Sequence, residues 1–155
     1  MCIRDRLGAD DSNYVTVVFE LSEAKKAQDF FADPHSAELM QAAGVTSKPN
    51  FTYFNVNNSG IPKGESFLIV RHTVKDYDYW KQEFDKHKSV RSAYNLSLTA
   101  LGKDLGNPLN VVAIFNSDNT NSIKSFLEKS NLKEAMKDAG ITGEPIQEIL
   151  VLNGK

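Results

Sequence analysis

The chain has 155 residues, 41% of them hydrophobic and 25% charged, with a formal net charge of −2. This composition is typical of a globular protein and excludes a disordered or collagen-like chain, and the balanced charge gives no basis for binding nucleic acid or an anionic membrane. A single cysteine excludes an intrachain disulfide scaffold and a cysteine-based zinc site, and no apolar run approaches the roughly 20 residues that span a membrane.

Residues 1–12 show neither a helical nor a strand pattern and are expected to form a leader that is non-native or disordered. The first six residues, Met-Cys-Ile-Arg-Asp-Arg, resemble translated sequencing-adapter sequence at the start of reading frames from bacterial metagenomes. A genuine disordered tail is the alternative. No apolar segment follows the charges, so the pattern of a signal peptide is missing. Localisation stays open, and a complete N-terminus would imply a cytoplasmic protein.

Residues 13–57 predict a strand, a broken helix and a second strand. Tyr14–Leu21 is rich in valine and aromatic residues, as strands are. The helix that follows restarts at Asp33 and Pro34, a suitable N-cap and first helical residue. Gly44 is a suitable C-terminal residue for that helix. Phe51–Val56 is the predicted second strand.

Residues 58–64 form a turn-rich linker, and residues 65–155 predict a longer series of elements. The run from Phe67 to Val74 begins apolar on both faces, which favours a central strand. The later predicted elements are a helix from Asp76 or Asp78 to about Tyr94, a hairpin of Leu96–Gly102 and Leu109–Phe115, a broken helix ending at Gly140, and a strand at Ile146–Leu152.

An internal repeat relates the two parts of the chain. Residues 13–57, shifted by 96 positions, fall without a gap on residues 109–153, and both copies contain Met-x-x-Ala-Gly-(Val/Ile)-Thr-x-x-Pro, beginning at Met40 and at Met136. The sequence therefore predicts an α+β protein with a complete ferredoxin-like βαββαβ domain at residues 65–155, preceded by a βαβ half copy at residues 13–57. The half copy is expected to be the second half of a repeat truncated at the N-terminus, in a tandem-domain protein. The half copy is expected either to pack on the sheet of residues 65–153 or to pair with a second chain, and we expect a homo-oligomer.

The stretch His72-Thr73-Val74-Lys75-Asp76-Tyr77-Asp78-Tyr79-Trp80, followed by Phe84-Asp85-Lys86-His87-Lys88 and Arg91, resembles the dimeric α+β barrel superfamily, and within it the antibiotic-biosynthesis-monooxygenase-like group. The resemblance implies the dimeric α+β barrel fold. It leaves the reaction open, since relatives include cofactor-free oxygenases, haem-degrading enzymes, isomerases and members with no known activity.

Four candidate residues share one face of the predicted helix. Trp80, Phe84, His87 and Arg91 are spaced i, i+4, i+7 and i+11, with Tyr77 beside them. In the functional interpretation, Tyr77, Trp80 and Phe84 form a ligand-binding aromatic wall. The alternative is that Trp80 and Phe84 belong to the hydrophobic core.

His72, His87 and Arg91 are the candidate catalytic residues. His72 lies on the strand before the helix, and either histidine could transfer a proton near neutral pH. Arg91 could stabilise an enolate or phenolate oxygen. In the alternative interpretation, His87 and Arg91 only complement the dipole at a helix C-terminus, and His72 ends a strand at the edge of the core.

The leading functional hypothesis is therefore a protein that binds a small apolar or aromatic molecule, with cofactor-independent monooxygenase-like activity on an aromatic or polyketide-like substrate. The alternative is a non-catalytic ligand-binding or assembly module of the same fold. No cofactor and no metal ion are expected, and the absence of histidine after His87 argues against a haem-degrading enzyme. Whether the protein is an enzyme stays open at this point.

Overall fold

The structure, a computed structural model, describes residues 3–129 and 131–152. Seven strands and six helices follow one another in the described part of the chain: β1 (Ile3–Gly8), β2 (Val15–Phe19), α1 (Ala24–Ala32), α2 (Pro34–Ala42), β3 (Phe54–Ser59), β4 (Ser66–Val74), α3 (Tyr77–Lys86), α4 (Lys88–Ala93), β5 (Ser97–Asp104), β6 (Asn110–Ser117), α5 (Thr120–Lys129), α6 (Leu132–Asp138) and β7 (Ile141–Leu152). Among these helices, none is long and apolar enough to cross a membrane.

All seven strands belong to one curled antiparallel sheet in the order β2-β1-β7-β4-β6-β5-β3. The α+β class is therefore as expected. Strand β4 lies at the centre, where it pairs with β6 on one side and β7 on the other. Strands β2 and β3 are the two ends of the sheet.

Strand β4 is buried on both faces, as its apolar sequence predicts. Leu68, Val70 and Val74 contribute to the larger hydrophobic core, which also contains residues of α3 and α5. The intervening Phe67 and Ile69 contribute to a second core with side chains of β6 and β7. Because successive side chains of a strand point to opposite faces, one strand joins the two cores.

Side-chain caps begin two of the helices at the predicted residues. The Asp33 carboxylate accepts a hydrogen bond from the backbone N–H of His35 at 2.9 Å, and Pro34 is the first residue of α2. The Asp76 carboxylate accepts one from the backbone N–H of Tyr79 at 2.7 Å at the start of α3. The helix predicted to continue to about Tyr94 is interrupted at His87, which separates α3 from α4.

Within the expected leader at residues 1–12, Ile3–Gly8 form strand β1. This strand pairs with β2 over Ile3–Leu7 and with the end of β7 over Arg6–Gly8. The pairing of β1 with β7, which is distant in the chain, is not visible in the charged sequence of this segment.

The half copy at residues 13–57 contributes strands to both ends of the sheet that residues 65–152 form. Strand β2 is joined to this sheet through β1, while β3 pairs directly with β5. Strand β3 occupies Phe54–Ser59 and not the predicted Phe51–Val56, so the predicted linker at 58–64 is shorter. Gly102 on β5 permits this pairing, because a Cβ atom there would lie 2.3 Å from the backbone oxygen of Asn55.

Trp80 provides a test of the larger core, because it is 1% exposed and is the only tryptophan. We expect Trp80→Ala to lower the free energy of unfolding by about 3–5 kcal/mol, through lost burial and the cavity left behind. Chemical denaturation measures this difference. Tyr79→Ala, which alters the exposed neighbouring ring, is the control and should cost far less. A wild-type fluorescence maximum typical of water-exposed tryptophan would contradict the assignment.

Candidate functional site

A cavity of about 430 Å³ lies between the central strands and helices α3, α4, α5 and α6. Its size is within the usual range for small-molecule sites. Most of the lining is apolar, and includes Val70 of β4, Phe115 of β6, Phe126 of α5 and Met136 of α6. The cavity therefore suits a ligand that is largely apolar.

Four of the predicted site residues, Trp80, Phe84, His87 and Arg91, line this cavity together with His72. The structure thus brings both histidines, the arginine and two of the three predicted aromatic residues to one place. The interruption of the helix at His87 does not separate them, because α4 continues along the same cavity.

Three rings and a guanidinium form a continuous series along one side of the cavity. The ring centroids of His72 and Trp80 are 5.2 Å apart, and those of Trp80 and Phe84 are 4.9 Å apart. The Arg91 Cζ atom lies 3.9 Å from the Phe84 centroid. This contact is a cation–π interaction, in which the ring face attracts the guanidinium.

His72 is nine-tenths buried, and among the described residues neither its Nδ1 nor its Nε2 atom has a hydrogen-bond partner. Burial lowers its pKa to about 4, because the charged imidazolium loses its hydration. The ring is therefore neutral at pH 7, with one nitrogen able to donate and one able to accept a hydrogen bond. An unpaired buried polar group of this kind is costly, unless a ligand or water pairs with it.

Arg91 brings a buried positive charge to the cavity. Its Nη1 atom donates a hydrogen bond to the backbone oxygen of Phe84 at 2.7 Å. Burial lowers the pKa of Arg91, an effect that nearby Asp85 partly offsets, but an arginine stays charged at neutral pH. Within the part of the chain that the structure describes, Arg91 forms no ion pair with a carboxylate, and Asp85 is paired with Lys81.

His87 is half-buried at the junction of α3 and α4, where it lines the cavity next to Glu83. The Glu83 carboxylate accepts a hydrogen bond from Lys86 at 2.6 Å. The side chains of His87 and Glu83 are therefore more exposed than those of His72 and Arg91.

Tyr77 is the predicted ligand-binding residue that the structure does not place in the cavity lining. Its ring lies 5.6 Å from that of Trp80, and the Lys103 ammonium is 3.6 Å from the Tyr77 centroid. Tyr77 therefore packs against Trp80 next to the cavity. That Tyr77 contacts a ligand stays a prediction.

The opposite side of the cavity was not predicted from the sequence. Leu132 and Met136 of α6 line it, together with Ala139, the residue that ends this helix, and Ile141 at the start of β7. Met136 and Ala139 belong to the repeated motif, which is the signal that marks this helix. Its role in the cavity depends on the packing of Leu132 and Met136 on the larger hydrophobic core and was not visible in the sequence.

No group of three or more His, Cys, Asp or Glu side chains that could hold a metal ion occurs within residues 3–129 and 131–152. The cavity itself contains the imidazoles of His72 and His87 and the carboxylate of Glu83. The guanidinium of Arg91 and the amide of Asn131 also belong to the polar lining.

Comparison with known proteins relates the chain to solved structures alone. No family model matches it, and no curated protein sequence matches it. A structure named as an anthrone oxidase-like protein superposes with a TM-score of 0.67 at 12% identity, over 98% of this chain and 76% of that chain.

Two further solved structures are named as presumed monooxygenases. The protein from Lactobacillus acidophilus has a TM-score of 0.53 at 16% identity, with 96% of this chain and 75% of that chain covered. The protein from Fusobacterium nucleatum has a TM-score of 0.56 at 10% identity, with 98% and 75% covered. At these identities the similarity shows the fold, which is compatible with a dimeric α+β barrel type.

The burial of neutral His72 predicts how stability depends on pH. Between about pH 6.5 and pH 4 the unfolded chain binds a proton at this position that the folded protein does not. The free energy of unfolding should therefore fall as the pH falls through this window, by up to about 1.4 kcal/mol per pH unit from this group. Urea denaturation between pH 4 and pH 8 measures the slope.

The variant His72→Gln should remove this contribution to the slope, whereas His35→Gln, at an exposed histidine on α2, should leave it. An unchanged slope in His72→Gln would show that His72 does not stay neutral in the folded protein. The comparison does not depend on any ligand.

Proposed function

We propose that this protein binds a flat, largely apolar molecule with an acidic oxygen or carbon, and oxidises it with dioxygen as a cofactor-independent monooxygenase-like enzyme. The observation that carries the proposal is the unpartnered, neutral His72 in a cavity that also contains the buried charge of Arg91. The substrate class is an aromatic or polyketide-like compound.

The shape of the cavity supports an aromatic ligand. Trp80 and Phe84 offer ring faces along one side, and Met136 offers a polarisable thioether opposite. The Arg91 charge, which has no carboxylate partner among the described residues, favours a ligand that becomes negative. In an apolar surrounding such a pair is worth more than in water.

His72 can accept a proton only if a negative charge forms nearby, because burial disfavours its cationic form. A carbon acid that ionises to an enolate or phenolate provides that charge. The proton moves from the substrate carbon to a ring nitrogen of His72, and Arg91 stabilises the oxygen on which the charge collects. The imidazolium and the enolate therefore stabilise one another as they form.

Dioxygen is the co-reactant and completes the oxidation without an added reductant. The enolate carbon gives electrons to dioxygen and forms a carbon–oxygen bond, so that a peroxide results. The peroxide then loses its outer oxygen as water, together with the remaining hydrogen of the carbon and the proton held by His72. A CH₂ group becomes a carbonyl, one oxygen atom stays in the product and the other leaves as water.

The fold neighbours support the same class of chemistry. The name of one of them refers to an anthrone oxidase, and anthrone is a flat carbon acid of the type that the cavity suits. We also assign residues 65–152 to the ferredoxin-like βαββαβ plan, because β4 to β7 lie in the order β7-β4-β6-β5 with helices after β4 and after β6.

A second candidate function is ligand binding without oxidation. The hydrogen bond from Arg91 to the Phe84 backbone oxygen favours it, because part of the guanidinium then stabilises the junction between α3 and α4. Both functions use the same cavity, and they differ in whether a bound carbon acid is consumed.

Anthrone in buffer saturated with oxygen is the test substrate. We expect the protein to consume one dioxygen per anthraquinone formed, faster than the spontaneous reaction. His72→Gln should slow turnover by at least about a hundredfold, because a positioned general base contributes about 10²–10⁴-fold to a rate. Absorbance measures the anthraquinone formed, and an oxygen electrode measures the dioxygen consumed.

Two variants test the role of the Arg91 charge: Arg91→Lys keeps a positive charge at this position, and Arg91→Met removes it. We expect Arg91→Lys to keep part of the activity and Arg91→Met to lose more, with thermal unfolding of each variant as the check on folding. Saturable binding of anthraquinone with no oxygen consumption would instead establish the non-catalytic function. If neither compound binds, the proposed substrate class is wrong.

A further inference from the structure

Apart from the cavity of the candidate site, the described residues line a second cavity, of about 220 Å³. It lies where the segment before β4, the end of β6 and the end of α4 meet. Most of its lining is polar, and it includes Lys63, Ser117 and Asp118 from the first two of these segments and Ser92 and Asn95 from the third. No residue lines both cavities, so a ligand of the second cavity is separate from the proposed substrate.

Ser117 brings a buried hydroxyl to the second cavity. The residue is 3% exposed, and its Oγ atom has no hydrogen-bond partner among the described residues. A buried hydroxyl without a partner costs free energy, which a ligand that forms a hydrogen bond with it removes. Because Ser117 lines the second cavity, its hydroxyl is a hydrogen-bonding group that the fold itself does not use.

Asn116 fixes the chain at Lys63 next to the end of β6. Its side chain belongs to a residue that is 2% exposed, and its Oδ1 atom accepts hydrogen bonds from the backbone N–H groups of Lys63 and Gly64 at 2.7 Å each. Its Nδ2 atom donates to the backbone oxygens of Gly64 and Ser66, at 2.8 and 3.0 Å. The amide has two donors and an oxygen with two lone pairs, so Asn116 is fully used in holding this side of the cavity.

The end of α4 forms another side of the second cavity. Asn95 has a φ of 57°, a left-handed conformation that asparagine adopts more readily than most residues. Its backbone N–H donates a hydrogen bond to the backbone oxygen of Ser92 at 3.0 Å. This turn brings an amide and a hydroxyl into the lining, so the second cavity favours a ligand with polar groups.

Lys63 and Asp118 give the second cavity one positive and one negative group. The two stretches of chain are adjacent, because a Cβ atom at Gly64 would lie 2.8 Å from the Cα atom of Asp118. Among the side chains that the structure describes, however, neither Lys63 nor Asp118 forms an ion pair, with the other or with a third residue. Both charges are therefore free to pair with a ligand.

The two opposite charges restrict the class of ligand. Asp118 repels an anion that has no positive group, and Lys63 repels a cation that has no negative group. A neutral ligand takes water from both charges and leaves each without a counter-ion. A zwitterion pairs with both, and the volume of the second cavity, below the roughly 300–1,000 Å³ of sites for drug-sized ligands, suits a small one.

From this arrangement we propose that the second cavity is a binding site for a free α-amino acid with a small polar side chain. The Lys63 ammonium and the Ser117 hydroxyl bind the carboxylate of the amino acid, and the Asp118 carboxylate binds its ammonium. A hydrogen bond from a hydroxyl to a carboxylate is stronger than one between neutral groups. The side chain of the amino acid contacts Ser92 and Asn95.

The probe is L-serine, titrated into the ¹⁵N-labelled protein and followed by the NMR chemical shifts of the backbone amides. We expect saturable changes at Lys63, Ser117 and Asp118. Acetate and ethylamine each carry only one of the two charges, and both should bind at least about tenfold more weakly than L-serine. Saturable changes of equal affinity with either compound, or changes confined to residues of the candidate site, would overturn the proposal. So would the absence of saturable changes with L-serine.

Variants of the proposed contacts test the same site. Ser117→Ala should weaken the binding of L-serine by about tenfold, because it removes a buried hydrogen bond to a charged group. It should leave the stability of the protein without L-serine undiminished, since the lost hydroxyl has no partner in the described structure, and thermal unfolding checks this. An unchanged affinity in Ser117→Ala would contradict the proposed role of the hydroxyl.

Lys63→Gln should weaken the binding of L-serine severalfold, as expected for an ion pair at an exposed residue. Lys48→Gln, which removes an equally exposed ammonium outside the second cavity, is the matched control and should leave the affinity unchanged. Asp118→Asn should abolish the preference for L-serine over acetate. Equal affinities in Lys63→Gln and Lys48→Gln, or a preference that Asp118→Asn retains, would show that these two charges do not bind the ligand and would overturn the proposal.

Discussion

The rest of the structure depends on the burial of both faces of β4. A strand with one buried face can tolerate polar residues at every second position, whereas β4 contributes five of its nine residues to hydrophobic cores on both faces. The side chains Phe67 and Ile69 fill one side of the curled sheet, and Leu68, Val70 and Val74 support the helices on the other. The helices can therefore enclose a cavity on one face of the sheet, while the second hydrophobic core covers the other face of β4.

His72 is the exception in this strand, and its position explains the character of the cavity. Alternation places it on the helix side, between Val70 and Val74, where it is buried. An unpartnered buried imidazole costs about 1–3 kcal/mol, and an apolar residue at this position would avoid that cost. A ligand that forms a hydrogen bond with the His72 ring removes this cost. Ligand binding and stability therefore depend on the same residue.

The features that were predicted correctly are those that depend on side chains close together in the chain. The caps at Asp33 and Asp76 and the two-faced burial of β4 follow from side-chain properties within a few residues. The pairing of β1 with β7 and of the shifted β3 with β5 could not be predicted, because it joins distant parts of the chain. Polar residues such as Asn55 fit an end strand, where backbone pairing replaces side-chain burial.

The part of the candidate site that lies on one helix face was predicted from the sequence. Trp80, Phe84, His87 and Arg91 share such a face, and their spacing alone brought them together. The contribution of α6 was missed, because Leu132 and Met136 reach the cavity by packing on a core formed by distant parts of the chain. Tyr77 lies outside the cavity lining, because helical spacing gives adjacency on a helix but does not show which neighbouring residue faces a cavity.

The segment that carries the candidate site has no counterpart among the elements of residues 3–59. A shift of 96 positions places β1, β2 and α1 within β5, β6 and α5, but no element of residues 3–59 falls on β4, α3 or α4. His72, Trp80, Phe84 and Arg91 lie on these three elements, whereas α5 and α6 line the cavity with apolar side chains. The imidazole and guanidinium groups of the cavity therefore come from the one strand–helix segment that the repeat does not duplicate within the described residues.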